Sequence, residues 1–172
     1  MLDRILNWGP ISRIRRNHAM EHATLNLLAQ GEKRLMLAGY SDTHGFWVMG
    51  EISTDLLQKA VDEARLRLQN GESGLAVHAH CGTNYAASGV VAGSAAYLGM
   101  AGGGRLIRSK WDRWSLVVGL VTIALIFSQP LGPYLQANFT TQSLIGRLKV
   151  TAITRYQNRR VPVHRILTID ER

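Results

Sequence analysis

The sequence predicts an α+β fold: a small, mostly antiparallel sheet with helices, interrupted by a two-helix membrane hairpin, with the C-terminal strands returning to the sheet. Three observations carry that expectation. Helical spacing of apolar residues alternates with short strand-like runs over residues 1–83. Two long runs poor in charge fill residues 84–139, and two-residue alternation resumes in residues 140–172. The same boundaries divide the chain into an α+β domain, a membrane hairpin, and a strand pair packing on the first domain.

From about Ile11 to Gln30 the chain reads as a helix. Ile14, His18, His22 and Leu25 form one stripe at three- and four-residue spacing, and Gly31 marks the stop. The runs "RLMLAGY" and "GFWVMGEIS" flank the turn residues "SDTHG" and predict a β-hairpin with His44 on its surface. Ser53 or Thr54 then caps a helix that places Leu56, Leu57, Ala60, Val61, Ala64 and Leu68 on one face and ends at Asn70-Gly71. "GLAVHAH" predicts a third strand, and it runs into "CGTN", where Thr83 or Asn84 caps the next helix.

Residues 84–103 are rich in Gly, Ala, Ser and Val and carry no charge. That length crosses a bilayer, and small residues permit close helix contact. The soluble alternative is a buried helix of small residues. Gly102 to Gly104 in "AGGGR" lack the Lys-Ser/Thr of a phosphate loop and read as a helix end. The second run, "WSLVVGLVTIALIFSQPLGPYLQANF", has Trp111, Trp114, Tyr134 and Phe139 placed like interfacial anchors, with Pro130 and Pro133 bending or ending it. The tail "RLKVTAITRYQNRRVPVHRILTID" alternates as two strands about a bend at Asn158, with His164 on the second.

The 20 Lys+Arg against 12 Asp+Glu give a formal charge of +8, which calls for a polyanionic partner. Positive charge gathers at 105–113, at 147–165 and on the first helix, beside the apolar runs, and so fits anionic lipid headgroups. Aromatic residues follow the apolar runs instead of interleaving with the basic stretches, which disfavours nucleic acid. "MLDRILNWGPISRIRR" has no uninterrupted apolar run of a signal peptide, so the expectation is a membrane protein with a cytoplasmic N-terminal domain. Arg105, Arg108, Lys110 and Arg113 would hold the short loop in the cytoplasm too, a conflict that a hairpin dipping in without crossing removes. Cys81 is the single cysteine, so no internal disulfide forms.

The chemistry gathers in two places. In "RNHAMEHATLN", His18 and His22 are one helical turn apart, about 5–6 Å between Cβ atoms, close enough for both to bind one Zn²⁺. Glu21 lies near the same face, in position to deprotonate water. A third ligand is needed, and "VHAHCGTN" offers His78 or His80, which would share one side of a strand. Cys81 as a further protein ligand would close the site and make it structural. Cys81 has an independent reading as a nucleophile ahead of a helix N-terminus, with His78 or His80 as its base.

His18-x-x-Glu21-His22 resembles the motif of the inverzincins, the pitrilysin and insulysin type of zinc peptidase. The resemblance spans five residues and implies His18 and His22 as ligands and Glu21 as general base. Inverzincins take a downstream glutamate as third ligand; no helix presents an obvious equivalent, and Glu63 is the nearest candidate. More widely, "NHAMEHATLNLL", "GFWVMGEI" and "VHAHCGTN" followed by an apolar hairpin resemble an uncharacterised bacterial family of small membrane proteins of unknown function. That likeness implies the architecture and no activity.

The function expected from these residues is a membrane-embedded zinc metallohydrolase, most simply a peptidase acting on a protein or peptide. Two alternatives remain open. One is a non-enzymatic assembly or scaffolding protein with a structural metal or none, and the other is a Cys/His hydrolase.

Overall fold

The structure, a computed structural model, describes residues 1–31, 35–101, 110–157 and 161–171. The chain forms two compact units, Met1–His78 with Gln136–Arg172, and Ala79–Leu135.

In the first unit a short helix, α1 (Leu2–Leu6), precedes the long helix α2 (Gly9–Gly31). A hairpin of β1 (Ala38–Asp42) and β2 (Gly45–Met49) follows, then α3 (Thr54–Gln69). Helix α3 begins where the Ser53 hydroxyl accepts the Leu56 N–H at 3.3 Å, and it ends at Asn70, before Gly71 turns the chain with φ +91°. Strands β3 (Leu148–Tyr156) and β4 (Val163–Asp170) come from the tail. All four strands are antiparallel in the order β1-β2-β4-β3, so β4 lies inside the sheet. The two-residue alternation of the sequence thus gives the sheet that it predicts.

Register follows from what each face meets. Phe46 pairs with Ile166 and Val48 with His164, all of them buried, while Trp47 pairs with Arg165 on the other face. There the Arg165 guanidinium sits 4.7 Å above the Trp47 ring and Tyr156 packs 5.9 Å from it. The inner face is covered by Ala19, Met20 and Ala23 of α2 and by Leu57, Val61 and Leu68 of α3, which join Phe46, Ile145, Leu148 and Ile166 in one core. Gly45 is required at the hairpin: its φ is +147°, and a Cβ there would overlap the Ile166 carbonyl.

"GLAVHAH" is not a strand. Ser73–Ala76 form a 3-10 turn whose main-chain bonds close locally, Leu75 N–H to Glu72 and Val77 N–H to Gly74, each at 3.2 Å. His78 therefore follows a turn, and the alternation of its neighbours does not set its direction.

The second unit contains α4 (Gly82–Ala101), α5 (Lys110–Ser128) and α6 (Leu131–Leu135). Gly99 lets α4 approach Val117 and Leu120 of α5, and the hydroxyls of Ser88 and Ser128 are 3.2 Å apart. The expected two-helix membrane hairpin is not supported: among the described residues no single helix is long and apolar enough to cross a membrane. The physical reason differs between the two helices. Thr83, Asn84, Ser88, Ser94 and the glycines dilute the hydropathy of α4, which is charge-free without being strongly apolar. Lys110, Asp112 and Arg113 occupy the first turn of α5, and Pro130 follows its end, so its apolar part falls short of the ~20 residues a span needs. Among the described residues one bent pair, Arg113–Ser128 with Leu131–Thr140, passes together by length and composition. The helix end expected at Gly102 to Gly104, the basic residues Arg105 and Arg108, and the bend at Asn158 lie outside the described residues.

Candidate metal centre on helix α2

Helix α2 is uninterrupted because no Gly or Pro occurs between Ile11 and Gln30, and its Asn17 to Leu25 segment is buried throughout except for half-buried His18. Spacing by four puts His18, His22 and Asn26 on one ridge. The His18 and His22 rings meet edge-on with centroids 4.1 Å apart, and a ligand nitrogen of one lies within 4.8 Å of a ligand nitrogen of the other. The ring of His78, arriving from the 3-10 turn, is 5.7 Å from that of His22. Two imidazoles one helical turn apart are thus joined, through His22, by a third from 56 positions further along the chain.

Each ring is held at Nδ1 by an oxygen. His18 Nδ1 is 3.0 Å from the Thr140 carbonyl, His22 Nδ1 is 2.7 Å from the Ala76 carbonyl, and His78 Nδ1 is 2.7 Å from the Asn26 side-chain oxygen. A carbonyl oxygen only accepts, so each Nδ1 must donate, and in the neutral ring the lone pair is then on Nε2. That is the arrangement of metal-ligating histidines, whose second nitrogen donates to a carbonyl or carboxylate.

The acceptors come from remote segments. Thr140 ends a π turn, Gln136–Thr140, that enters the first unit from α6. Arg15 anchors this turn, donating to the carbonyls of Asn138 at 3.2 Å and Thr141 at 3.0 Å, and burial pushes its guanidinium below the ordinary value. Fully buried Gln136 brackets the main chain of His78: its side-chain oxygen accepts the His78 N–H at 2.8 Å, and its Nε2 donates to the His78 carbonyl at 3.1 Å.

Glu21 takes another direction. It lies about 100° around the helix from His22, is 4% exposed, and accepts a hydrogen bond from the Ser41 hydroxyl on β1. A Cβ on Gly39 would overlap its carboxylate, so β1 passes very close. Glu63 is on the exposed side of α3, paired with Arg67 at 3.2 Å. His44 is an exposed turn residue, and His164 is buried on β4.

His80 and Cys81 fall in the second unit. His80 is exposed in a turn, whereas Cys81 is buried, with the Thr83 N–H donating to its sulfur at 3.4 Å as α4 begins. Sequence reasoning passed over Asn26, Ser41, Gln136 and Thr140. Of these only Asn26 carried a signal, its place on the His18–His22 ridge.

Residues 13–153 match the family described as "Domain of unknown function (DUF6391)". The chain belongs to that family. The DUF6391 match takes in α2 from Arg13 onward, His78 and the π turn, so the whole histidine cluster lies inside the family's domain. An uncharacterized protein of Picosynechococcus sp. (strain ATCC 27264 / PCC 7002 / PR-6) is 32% identical over 140 residues, which cover 74% of this chain and 65% of that relative. This chain therefore spans about two thirds of the relative's length. No solved structure matches it.

Proposed function

We propose that this protein binds a divalent transition metal, zinc foremost, through His18, His22 and His78, and uses it for hydrolysis, most simply of a peptide bond. The observation that carries the reading is the shared pattern at Nδ1: three neighbouring imidazoles each donate there to an oxygen acceptor. Imidazole nitrogen suits zinc, and three protein ligands leave a position for water or substrate, as in catalytic sites. A zinc ion so held would supply a water whose pKa is lowered toward ~7. Glu21, next to His22 in sequence, would be the proton acceptor of this reading and would have to turn from its Ser41 contact on β1 to reach the water.

A second reading is favoured by that same Ser41 contact. Glu21 is pressed against Gly39 on β1, as a residue fastening helix to sheet would be. The protein is then a non-enzymatic assembly or scaffolding subunit, and any metal on the histidines is structural.

Metal analysis of the purified chain with three variants separates these readings. His22→Ala is expected to lose stoichiometric zinc. Glu21→Gln is expected to keep zinc and lose hydrolysis of a fluorogenic peptide mixture, because an amide cannot accept the water proton. Wild type and Glu21→Gln both holding zinc without hydrolysis supports the structural role. Well-folded wild type that takes up no zinc overturns both metal readings.

A further inference from the structure

Within the first unit, His78 is the one histidine of the cluster that does not belong to α2, so something must fix where it stands. Two amide side chains do so from separate parts of the chain, Asn26 at 52 positions' distance and Gln136 at 58. Asn26 sits one turn beyond His22, and its Nδ2 donates to the carbonyls of Leu75 at 3.0 Å and Val77 at 2.9 Å. Those two bonds decide the orientation of the amide, leaving its oxygen for the imidazole. With Nδ1 as donor the pair is matched at 2.7 Å; with the proton on Nε2 instead, two acceptors would face each other. The tautomer is therefore set by Asn26.

Gln136 sets the main chain. Its two bonds to the N–H and carbonyl of His78 reproduce what a neighbouring strand would give, at a place where the sheet offers none. The Gln136 carbonyl in turn accepts from the Thr141 hydroxyl at 2.8 Å, which ties the clamp to the π turn. Here ring and backbone are held independently, the ring by half-buried Asn26 and the main chain by fully buried Gln136.

We infer that Asn26 and Gln136 are the positioning residues of the metal centre, holding His78 as the Nδ1–H tautomer so that its Nε2 lone pair is the one offered to a divalent cation. The inference rests on the metal-binding reading and names the residues that make His78 its third ligand.

Cobalt(II) serves as the probe, because its visible absorption reports ligand number and geometry while it replaces zinc in imidazole sites. The full chain is titrated as wild type, His78→Ala, Asn26→Leu, Asn26→Asp and Gln136→Leu, with circular dichroism confirming the fold of each. Nitrogen NMR of the metal-free imidazoles reports the tautomer. Wild type is expected to bind one Co²⁺ and to show His78 protonated on Nδ1. Loss of an outer-shell partner weakens metal binding about 10–100-fold, so Asn26→Leu and Gln136→Leu are expected to fall in that range. Asn26→Leu should also show mixed His78 tautomers. Asn26→Asp, whose carboxylate still accepts the Nδ1 hydrogen, should regain affinity over Asn26→Leu.

Folded Asn26→Leu and Gln136→Leu that bind Co²⁺ as tightly as wild type overturn the positioning role while leaving the metal reading standing. If Asn26→Leu does not fold, Asn26→Asp decides: affinity near wild type supports the role, and a folded protein as weak as His78→Ala overturns it. Wild type that binds neither Co²⁺ nor zinc overturns the metal reading, and this inference with it.

Discussion

The Ser41 hydroxyl donates to the Glu21 carboxylate at the point where β1 passes closest to α2, beside Gly39. Gly39→Ala is expected to push Glu21 or the strand aside, an overpacking cost of about 1–3 kcal/mol. Ser41→Ala removes a hydrogen bond to buried Glu21 and is expected to cost about 0.5–1.5 kcal/mol. Thermal denaturation reads both, and a Gly39→Ala melt that overlays wild type would contradict the close approach.

Asn17 joins three elements. It is fully buried, its Nδ2 donates to the Asp42 carbonyl at 2.8 Å, and its oxygen accepts from the Thr168 hydroxyl at 2.7 Å. Asn17→Ala strands two buried polar groups and should destabilise by about 1–3 kcal/mol, measured by urea unfolding. Pairing it with Thr168→Val should recover part of that loss, because the hydroxyl left without an acceptor is gone.

Stability should fall on mild acidification through His164. Burial first, and the Arg155 charge second, hold this imidazole below the ordinary value of 6.5, with Glu51 partly opposing them. Its Nε2 meets the Thr54 hydroxyl at 3.1 Å, and its Nδ1 makes no hydrogen bond among the described residues. The unfolded chain protonates near 6.5 and the folded chain only lower, so the unfolded state binds the extra proton between those two values. Stability is therefore unaffected above 6.5 and declines as pH falls beneath it toward the folded value. Melts of metal-free wild type and His164→Gln across this window should show a shallower decline in the variant.

A second acid-side loss sets in lower, at Asp42. Burial pushes its carboxyl up, but the hydrogen bonds from Arg165, the His44 N–H and Trp47, together with the Arg165 charge, outweigh burial and hold it below 3.8. Its contribution is present above 3.8 and disappears as pH drops through the folded value. Asp42→Asn should flatten the stability profile in that range and nowhere else.

How much of this was legible in the sequence depends on whether the deciding partner was local. Helix α3 was, because the Ser53 cap, the Leu57–Leu68 face and the Asn70-Gly71 stop are all within the segment and agree. Ser53→Ala should accordingly cost about 0.5–2 kcal/mol. The sheet was legible as alternation, although its strand order was not, since nothing in "VHRILTID" says that it pairs β2. The third strand failed because alternation requires an edge to pair with, and Ser73–Ala76 wind into a 3-10 turn whose carbonyls meet side chains of α2 instead of a strand. The membrane hairpin failed because freedom from charge was read as apolarity in a helix of Gly, Ala and Ser.

The candidate site was half legible. His18 and His22 follow from spacing alone, and Asn26 was the next residue on their ridge. An amide at that place in a helix usually faces solvent, and its target lies 52 positions away. Gln136 and Thr140 gave no signal, because they act through a π turn that follows a proline-broken apolar run.

The interior place of β4 governs the order in which the molecule can be made. Asp42 and Arg165 meet across 123 positions, and His18 meets Thr140 across 122. Strands β3 and β4 pair over a short sequence separation, whereas docking them on β2 closes a loop of most of the chain, a step that long separation slows. Until it happens β2 keeps an unpaired edge of Phe46, Trp47 and Val48, a template for another chain. The carbonyl that orients His18 is also missing in that interval. A nascent chain therefore reaches its histidine cluster and escapes its aggregation hazard along the same late segment, and slower translation ahead of Gln136 prolongs both vulnerabilities together.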